Sequence, residues 1–178
     1  MVNLKFRYAQ KGDERLILRF IKELAEYEGL AREVVADCET LSKWIFDMGR
    51  AKVLFALDGE KEIGFALYFY NFSTFLGRSG IYLEDLYVSP EYRKQGVGKA
   101  LLKKLARTAQ AEGCGRLEWW CLDENLPSIE FYTAMGAQAM DRWTVYCVSG
   151  DGLKNWLKEI DKKSGGISPR FFLTVILQ

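Results

Sequence analysis

The stretch "GIYLEDLYVSPEYRKQGVGKALL", residues 80–102, changes character twice. From Gly80 to Val88 it is β-prone, and Ser89-Pro90 ends that run. Beyond Gly96 the apolar residues fall at helical spacing, with Leu101, Leu102 and Leu105 on one side and Lys99, Lys103, Lys104 and Arg107 on the other. A strand that passes through a glycine-bearing turn into an amphipathic helix confines the chain to a layered mixture of helices and strands. The same run holds an oddity. Glu84 and Asp85 stand side by side among apolar residues, although strands are poor in acids and a buried, unpaired carboxylate is costly. Something must offset that cost.

The rest of the chain supplies matching elements. Residues 2–8 are predicted as a short strand. From Asp13, read as an N-cap, "ERLILRFIKELAEYE" has helical spacing at Leu16, Phe20, Leu24 and Tyr27. A second helix is predicted over 39–48. "KVLFAL" and "EIGFALYFYNF" form a hairpin turning at Asp58-Gly59. Further on, "GRLEWWCL" reads as a strand, "PSIEFYTAM" as a short helix opened by Pro127, and "WTVYCV" as another strand. Residues 1–160 then make one domain of mixed α/β class without internal repeats. Residues 161–178 are set apart, because "DKKSGGISPR" has linker composition and "FFLTVIL" is β-prone and uncharged. The expectation for that tail is an added, docked strand.

Composition narrows the chemistry. With 178 residues and 49% hydrophobic content the chain can bury one sizeable core. Lys and Arg total 25 against 24 Asp and Glu, so no overall charge points to nucleic acid or an anionic membrane as partner. There is no histidine, which removes the commonest general base and the commonest metal ligand. Cys38, Cys114, Cys121 and Cys147 have no zinc-like spacing and read as reduced core residues. The beginning of the chain lacks the apolar core of a signal peptide, and no apolar run reaches membrane-spanning length, so a cytoplasmic protein is expected.

The strand-to-helix junction carries the first chemical signal. In "RKQGVGKA", Gly96 and Gly98 allow close backbone approach to a ligand, and the free N–H groups that open the helix suit a phosphate. Arg93, Lys94 and Lys99 add positive charge. By itself the pattern is more often a tight turn with exposed lysines than a phosphate site.

The longer run "LEDLYVSPEYRKQGVGKALLKKL" resembles the acetyl-CoA-binding segment of the GNAT N-acetyltransferases: Arg or Gln, two residues, Gly, one residue, then Gly or Ala. Arg93, Gly96 and Gly98 occupy those places. "ENLPSIEFYTAMGA" resembles the same family's second segment, through Asn125, Phe131, Tyr132 and Gly136. With "IKELAEYE" and "IYLEDLYV" the likeness narrows to the diamine (spermidine/spermine) and thialysine acetyltransferases, over about residues 4–150. Departures occur at Glu124, where eukaryotic relatives carry Trp, and in the shorter stretch between Gly136 and Trp143.

The resemblance implies a mostly antiparallel sheet with a splayed parallel pair at its centre, helices on both faces, and a homodimer. It implies acetyl-CoA as cosubstrate, without metal, and direct transfer to the primary amine of a small cation such as a polyamine or thialysine. It implies cofactor binding by Leu86, Tyr87, Val88, Arg93, Lys94, Gln95, Gly96, Val97, Gly98, Lys99, Asn125, Phe131 and Tyr132. Acceptor binding falls to Tyr27, Glu28, Glu84, Asp85 and Trp143. Bottom-up chemistry agrees in one respect. Removing the proton of an amine of pKa near 10.4 at pH 7 costs about 4.6 kcal/mol, so a base is needed. Without histidine a desolvated carboxylate is the natural candidate, and Glu84 is expected in that role. A strand bulge, which the family has here, would let both acids reach one cleft. Tyr132 is expected to protonate the leaving thiolate. Two rivals stay open: a protein or peptide N-acetyltransferase, and an inactive CoA-binding domain acting as sensor or scaffold.

Overall fold

In the computed structural model, which describes residues 2–164, five strands form one sheet in the order β1-β2-β3-β4-β5. They are β1 (Leu4–Tyr8), β2 (Lys52–Asp58), β3 (Lys61–Ser73), β4 (Arg78–Val88) and β5 (Leu117–Glu118). The first three pairings are antiparallel and β4–β5 is parallel. Among the described residues β5 has β4 as its neighbour and nothing beyond, so the parallel pair lies at an edge of this sheet and not at its centre.

Alternation along the strands feeds two apolar layers. On one face Val53, Phe55, Leu57, Phe65 and Tyr87 pack with Ile17 and Phe20 of α1 (Glu14–Tyr27). The Phe20 ring lies 5.3 Å from that of Phe65 and 6.1 Å from that of Tyr87. Each such side chain, fully buried, contributes about 1.5–3 kcal/mol. The intervening residues Leu54, Ala56, Ala66, Ile81 and Leu83 are also buried, on the opposite face. Helix α3 (Val97–Ala111) packs against β2, β3 and β4, burying Val97, Leu101, Leu102 and Leu105. Its lysines face solvent, as the helical spacing predicts.

Several local details differ from the sequence reading. Asp13 occupies the N-cap position of α1 but caps nothing with its side chain; its carboxylate takes Arg7 Nη1 at 2.7 Å and the Gln10 N–H at 2.8 Å. The hairpin turn is Gly59-Glu60, since Asp58 still pairs with Lys61. Gly59, at φ +62°, supplies the left-handed first position of a two-residue turn. The helix predicted over 39–48 is a single α-turn, α2 (Cys38–Leu41), opened by an Asp37/Thr40 capping box and continued as a π-helix over Ser42–Asp47. Together the two turns still lay Leu41, Ile45 and Phe46 against the α1 core.

The chain divides into two compact units, residues 1–131 and 132–178. Helix α4 (Leu126–Ala134) crosses the boundary. In the second unit it ends at Gly136, φ +89°, where the N–H groups of Gly136 and Ala137 donate to the Thr133 and Tyr132 carbonyls at 2.9 and 3.1 Å in a Schellman arrangement. The strand predicted for "WTVYCV" is absent among the described residues. Val145 and Tyr146 are exposed there, and strand propensity expresses packing against a neighbouring strand that this segment does not have. Helix α5 (Gly150–Ser164) follows, unforeseen from the sequence, and Asp161–Ser164 continue it where a linker was expected. The docked-strand expectation for "FFLTVIL" lies outside the described residues. Among the described residues no helix is long and apolar enough to cross a membrane.

Candidate active site

The β3–β4 ladder resolves the oddity of two adjacent acids. Leu67 pairs with Asp85 and Tyr68 with Leu83, so Glu84 is an extra residue facing no partner. This is a β-bulge, a device that re-aims side chains and breaks strict alternation. Glu84 is exposed on it, whereas Asp85 is partly buried on the Leu67 side. Burial first, then the charges of Glu84 and Glu28, push the Asp85 carboxyl up to about 7. Glu28 stands just past the end of α1, and burial raises its carboxyl too. Three acids from two elements therefore form one electrostatic group.

Next to the bulge, among the described residues, β4 has an open edge. Its parallel pairing with β5 consists of Ile81↔Leu117 and Tyr82↔Glu118, with no pair closer to Val88. Beyond those two pairs the strands part. The Ser89 N–H donates back to β3, to Ile63 O at 2.9 Å. Since amides alternate sides along a strand, those of Leu86 and Val88 face the open edge. The Tyr87 amide faces β3 and its side chain belongs to the core, so this residue offers an incoming ligand little.

The loop after β4 is shaped for an anion. Lys94 and Gly96 have φ +59° and +82°, and no side chain caps α3 at Gly96. Ala100 makes the first bond back, to Gly96 O at 3.0 Å, which leaves the amides of Val97, Gly98 and Lys99 pointing out of the helix start. Gln95 is turned inward, donating from Nε2 to Glu91 O at 2.8 Å. A Cβ built on Gly98 would meet Phe131 Cζ at 3.8 Å and Val88 Cγ2 at 3.9 Å, which is ordinary contact. The protein itself has room for a side chain there, so the reason for glycine lies on the ligand side. This cradle fits a phosphate or pyrophosphate group.

Asn125 serves as the N-cap of α4, its Oδ1 accepting from the Ser128 N–H at 3.4 Å and from the Tyr27 hydroxyl at 3.3 Å. Tyr27, Glu28, Glu84, Asp85, Leu86, Val88, Arg93 to Lys99, Asn125 and Phe131 all belong to the first unit. Tyr132 and Trp143 belong to the second, where Trp143 is exposed beside a shallow depression lined by residues 139–143. One residue escaped the sequence reading. The Cys121 thiol is pushed up by burial and then by the charges of Glu28 and Asp123, which puts it near the acidic group. A lone cysteine in an apolar run carries no mark of such a neighbourhood.

Residues 17–137 match the Acetyltransferase (GNAT) family. The chain belongs to that family. It is 36% identical over 166 residues to a thialysine N-epsilon-acetyltransferase of Bos taurus, covering 86% of this chain and 97% of the relative. It is 42% identical over 91 residues to the L-ornithine N5-acetyltransferase NATA1 of Arabidopsis thaliana, covering 51% of this chain and 40% of that one. Among solved structures, an integron cassette protein from the mobile metagenome of V. cholerae superposes with a TM-score of 0.74 at 26% identity, covering 89% of this chain and 99% of its own. This GNAT protein is accordingly an N-acetyltransferase with the mixed α/β fold of its family.

Proposed function

We propose that this enzyme transfers acetyl from acetyl-CoA to a primary amine of a small cationic acceptor, a lysine-like amino acid such as thialysine or a polyamine, by direct attack in a ternary complex. The observation that carries the reading is the position of the acids: Glu28, Glu84 and Asp85 interact at the bulge, beside the open edge of β4 and the anion-shaped loop that follows it. The relatives named for thialysine and ornithine share an amino-acid acceptor with a distal amine, which favours that class over a peptide.

The bound cosubstrate supplies an acetyl thioester. The amides of Val97, Gly98 and Lys99 hold its pyrophosphate, and those of Leu86 and Val88 hold the arm and polarise the carbonyl, as preorganised donors do. Sequence reasoning assigned the base to Glu84. The burial of Asp85 favours exchanging the roles. Asp85, poised near neutrality, accepts the proton of the acceptor ammonium, while the exposed Glu84 and the half-buried Glu28 draw the cation in. Tyr132, in the place of the family's second segment, returns a proton to the leaving sulfur. The assembly is taken as a homodimer, from the family resemblance.

A thiol-release assay with acetyl-CoA against polyamines, lysine analogues and peptides tests this. Faster turnover of peptides without a distal cation than of any diamine or lysine analogue would overturn the small-amine reading. No thiol release with any acceptor would leave the CoA-binding scaffold in its place.

A further inference from the structure

Arg93 is one of three cations in the phosphate-loop sequence, yet its side chain is engaged by the protein itself. Its Nε donates to the Val88 carbonyl at 2.9 Å, on the open edge of β4. The guanidinium carbon lies 4.5 Å from the centre of the Tyr27 ring and 5.4 Å from that of Tyr87. Tyr87 is buried in the α1 core, so it is a fixed partner. Tyr27 is 46% exposed at the last position of α1, so it has to be held. On its far side the Tyr27 hydroxyl reaches Asn125 Oδ1 at 3.3 Å. A continuous set of contacts therefore runs from Val88 through Arg93 and Tyr27 to Asn125, and the residue after Tyr27 is Glu28 of the acidic group.

We propose that Arg93 is a positioning residue for the acceptor wall: it fixes Tyr27, and with it Glu28, against the thioester strand, and does not bind phosphate. The inference rests on the amine N-acetyltransferase reading above. Arginine suits the task where lysine does not, because only a flat guanidinium can lie over a ring and donate from its edge to a carbonyl at once. Phosphate recognition by arginine draws on that same donor fork, and here Nε is already taken.

The test compares Arg93→Gln, Tyr27→Ala and the double variant, with CoA affinity measured by calorimetry and the amine KM by thiol release. Each single change is expected to raise the amine KM by about fivefold or more and to alter the CoA Kd by less than about threefold, and the double variant should be no worse than the poorer single. A CoA Kd raised about tenfold with an unchanged amine KM would make Arg93 a phosphate ligand and overturn the proposal. So would additive single effects, or an equal loss for both ligands. If Arg93→Gln does not fold, Arg93→Lys, which keeps the charge and loses the flat face, reads the same split. The side-chain amide resonance of Asn125 gives a readout that needs no turnover. It should move on Arg93→Gln, and an unmoved signal would overturn the brace even if no amine in the panel proves to be a substrate, an outcome that would sink the small-amine reading separately.

Discussion

Asp85 stands directly across the β3–β4 ladder from Leu67, while Glu84 before it stands across from no residue. The bulge thereby separates two neighbouring carboxylates into different surroundings. Asp85 is desolvated and feels the charges of Glu84 and Glu28, which together raise its carboxyl to about 7. Pairs of acids held apart in this way are how one site obtains both an ionised group and a group that exchanges protons near neutrality.

The pH dependence follows with a definite sign. The folded protein keeps a proton on Asp85 that the unfolded chain releases near the ordinary value of 3.8, so this residue's contribution to stability is full below that pH and is lost as pH rises through about 7. Asp85→Asn is therefore expected to melt higher than wild type above pH 7, with the gap closing toward pH 4. Activity moves oppositely. Wild-type kcat/KM should rise through about 7 as Asp85 ionises, and Asp85→Asn should be slow and lack that step. Glu84→Gln, by removing a neighbouring charge, should shift the step to lower pH. Melting curves and rate profiles between pH 5 and pH 9 decide the matter, and an Asp85→Asn profile parallel to wild type would return the base role to Glu84.

The phosphate cradle is tested at Gly98. Because a Cβ there meets only ordinary contacts at 3.8 and 3.9 Å, Gly98→Ala and Gly98→Asp should both fold. Gly98→Asp, placing a carboxylate where the helix-start amides face an anion, should weaken CoA by about tenfold or more. Calorimetry on the two folded variants checks this. Equal CoA affinity in wild type and Gly98→Asp would remove the cradle from the argument.

For Tyr132 the expected signature is in turnover. Tyr132→Phe should keep CoA affinity within about threefold of wild type and lower kcat by about 10²–10⁴, the range of general acid catalysis. Unchanged kcat would leave Tyr132 as a packing residue.

Much of the site was legible because its local chemistry leaves local marks. Gly96 and Gly98 stand where the backbone needs φ > 0 or an open face, and Pro90 marks the strand's end. The bulge at Glu84 was less legible from the residues themselves, since "YLEDLYV" reads as alternation until pairing with β3 shows the extra residue. The bracing contacts of Arg93 were hidden for a related reason. A basic residue in a phosphate motif looks like a ligand, and only the fold brings Tyr27, distant in sequence, under its guanidinium. Residues 143–148 failed differently: their β-prone composition is real, but a strand requires a partner that composition does not specify. Helix α5 was not predicted although Leu153, Trp156, Leu157 and Ile160 keep helical spacing; Gly150 and Gly152 at its start weaken that signal.

Acceptor choice should follow charge. Opposite charges about 4 Å apart gain roughly 1 kcal/mol in water and about 4 kcal/mol at an effective dielectric of 20, so the acidic group at Glu28, Glu84 and Asp85 selects cations to the extent that it excludes water. A diamine or lysine analogue keeps a charged nitrogen after its reacting nitrogen has given up a proton, and a monoamine does not. Glu28→Gln is accordingly expected to raise KM for a dication by about three- to tenfold and to leave KM for a monoamine nearly unchanged. Glu28 is the better residue for this test than Asp85, because its place at the end of α1 puts it off the thioester strand; since its charge also raises Asp85, KM is compared well above pH 7, where Asp85 is ionised in both proteins. Added salt should narrow the difference between the two acceptors in wild type, since a site open to solvent is screened within about 10 Å at 0.1 M. KM measured for the acceptor pair at low and high salt, in wild type and Glu28→Gln, distinguishes this from selection by shape. An equal rise for both acceptors, insensitive to salt, would mean that Glu28 shapes the wall and that charge does not choose the substrate.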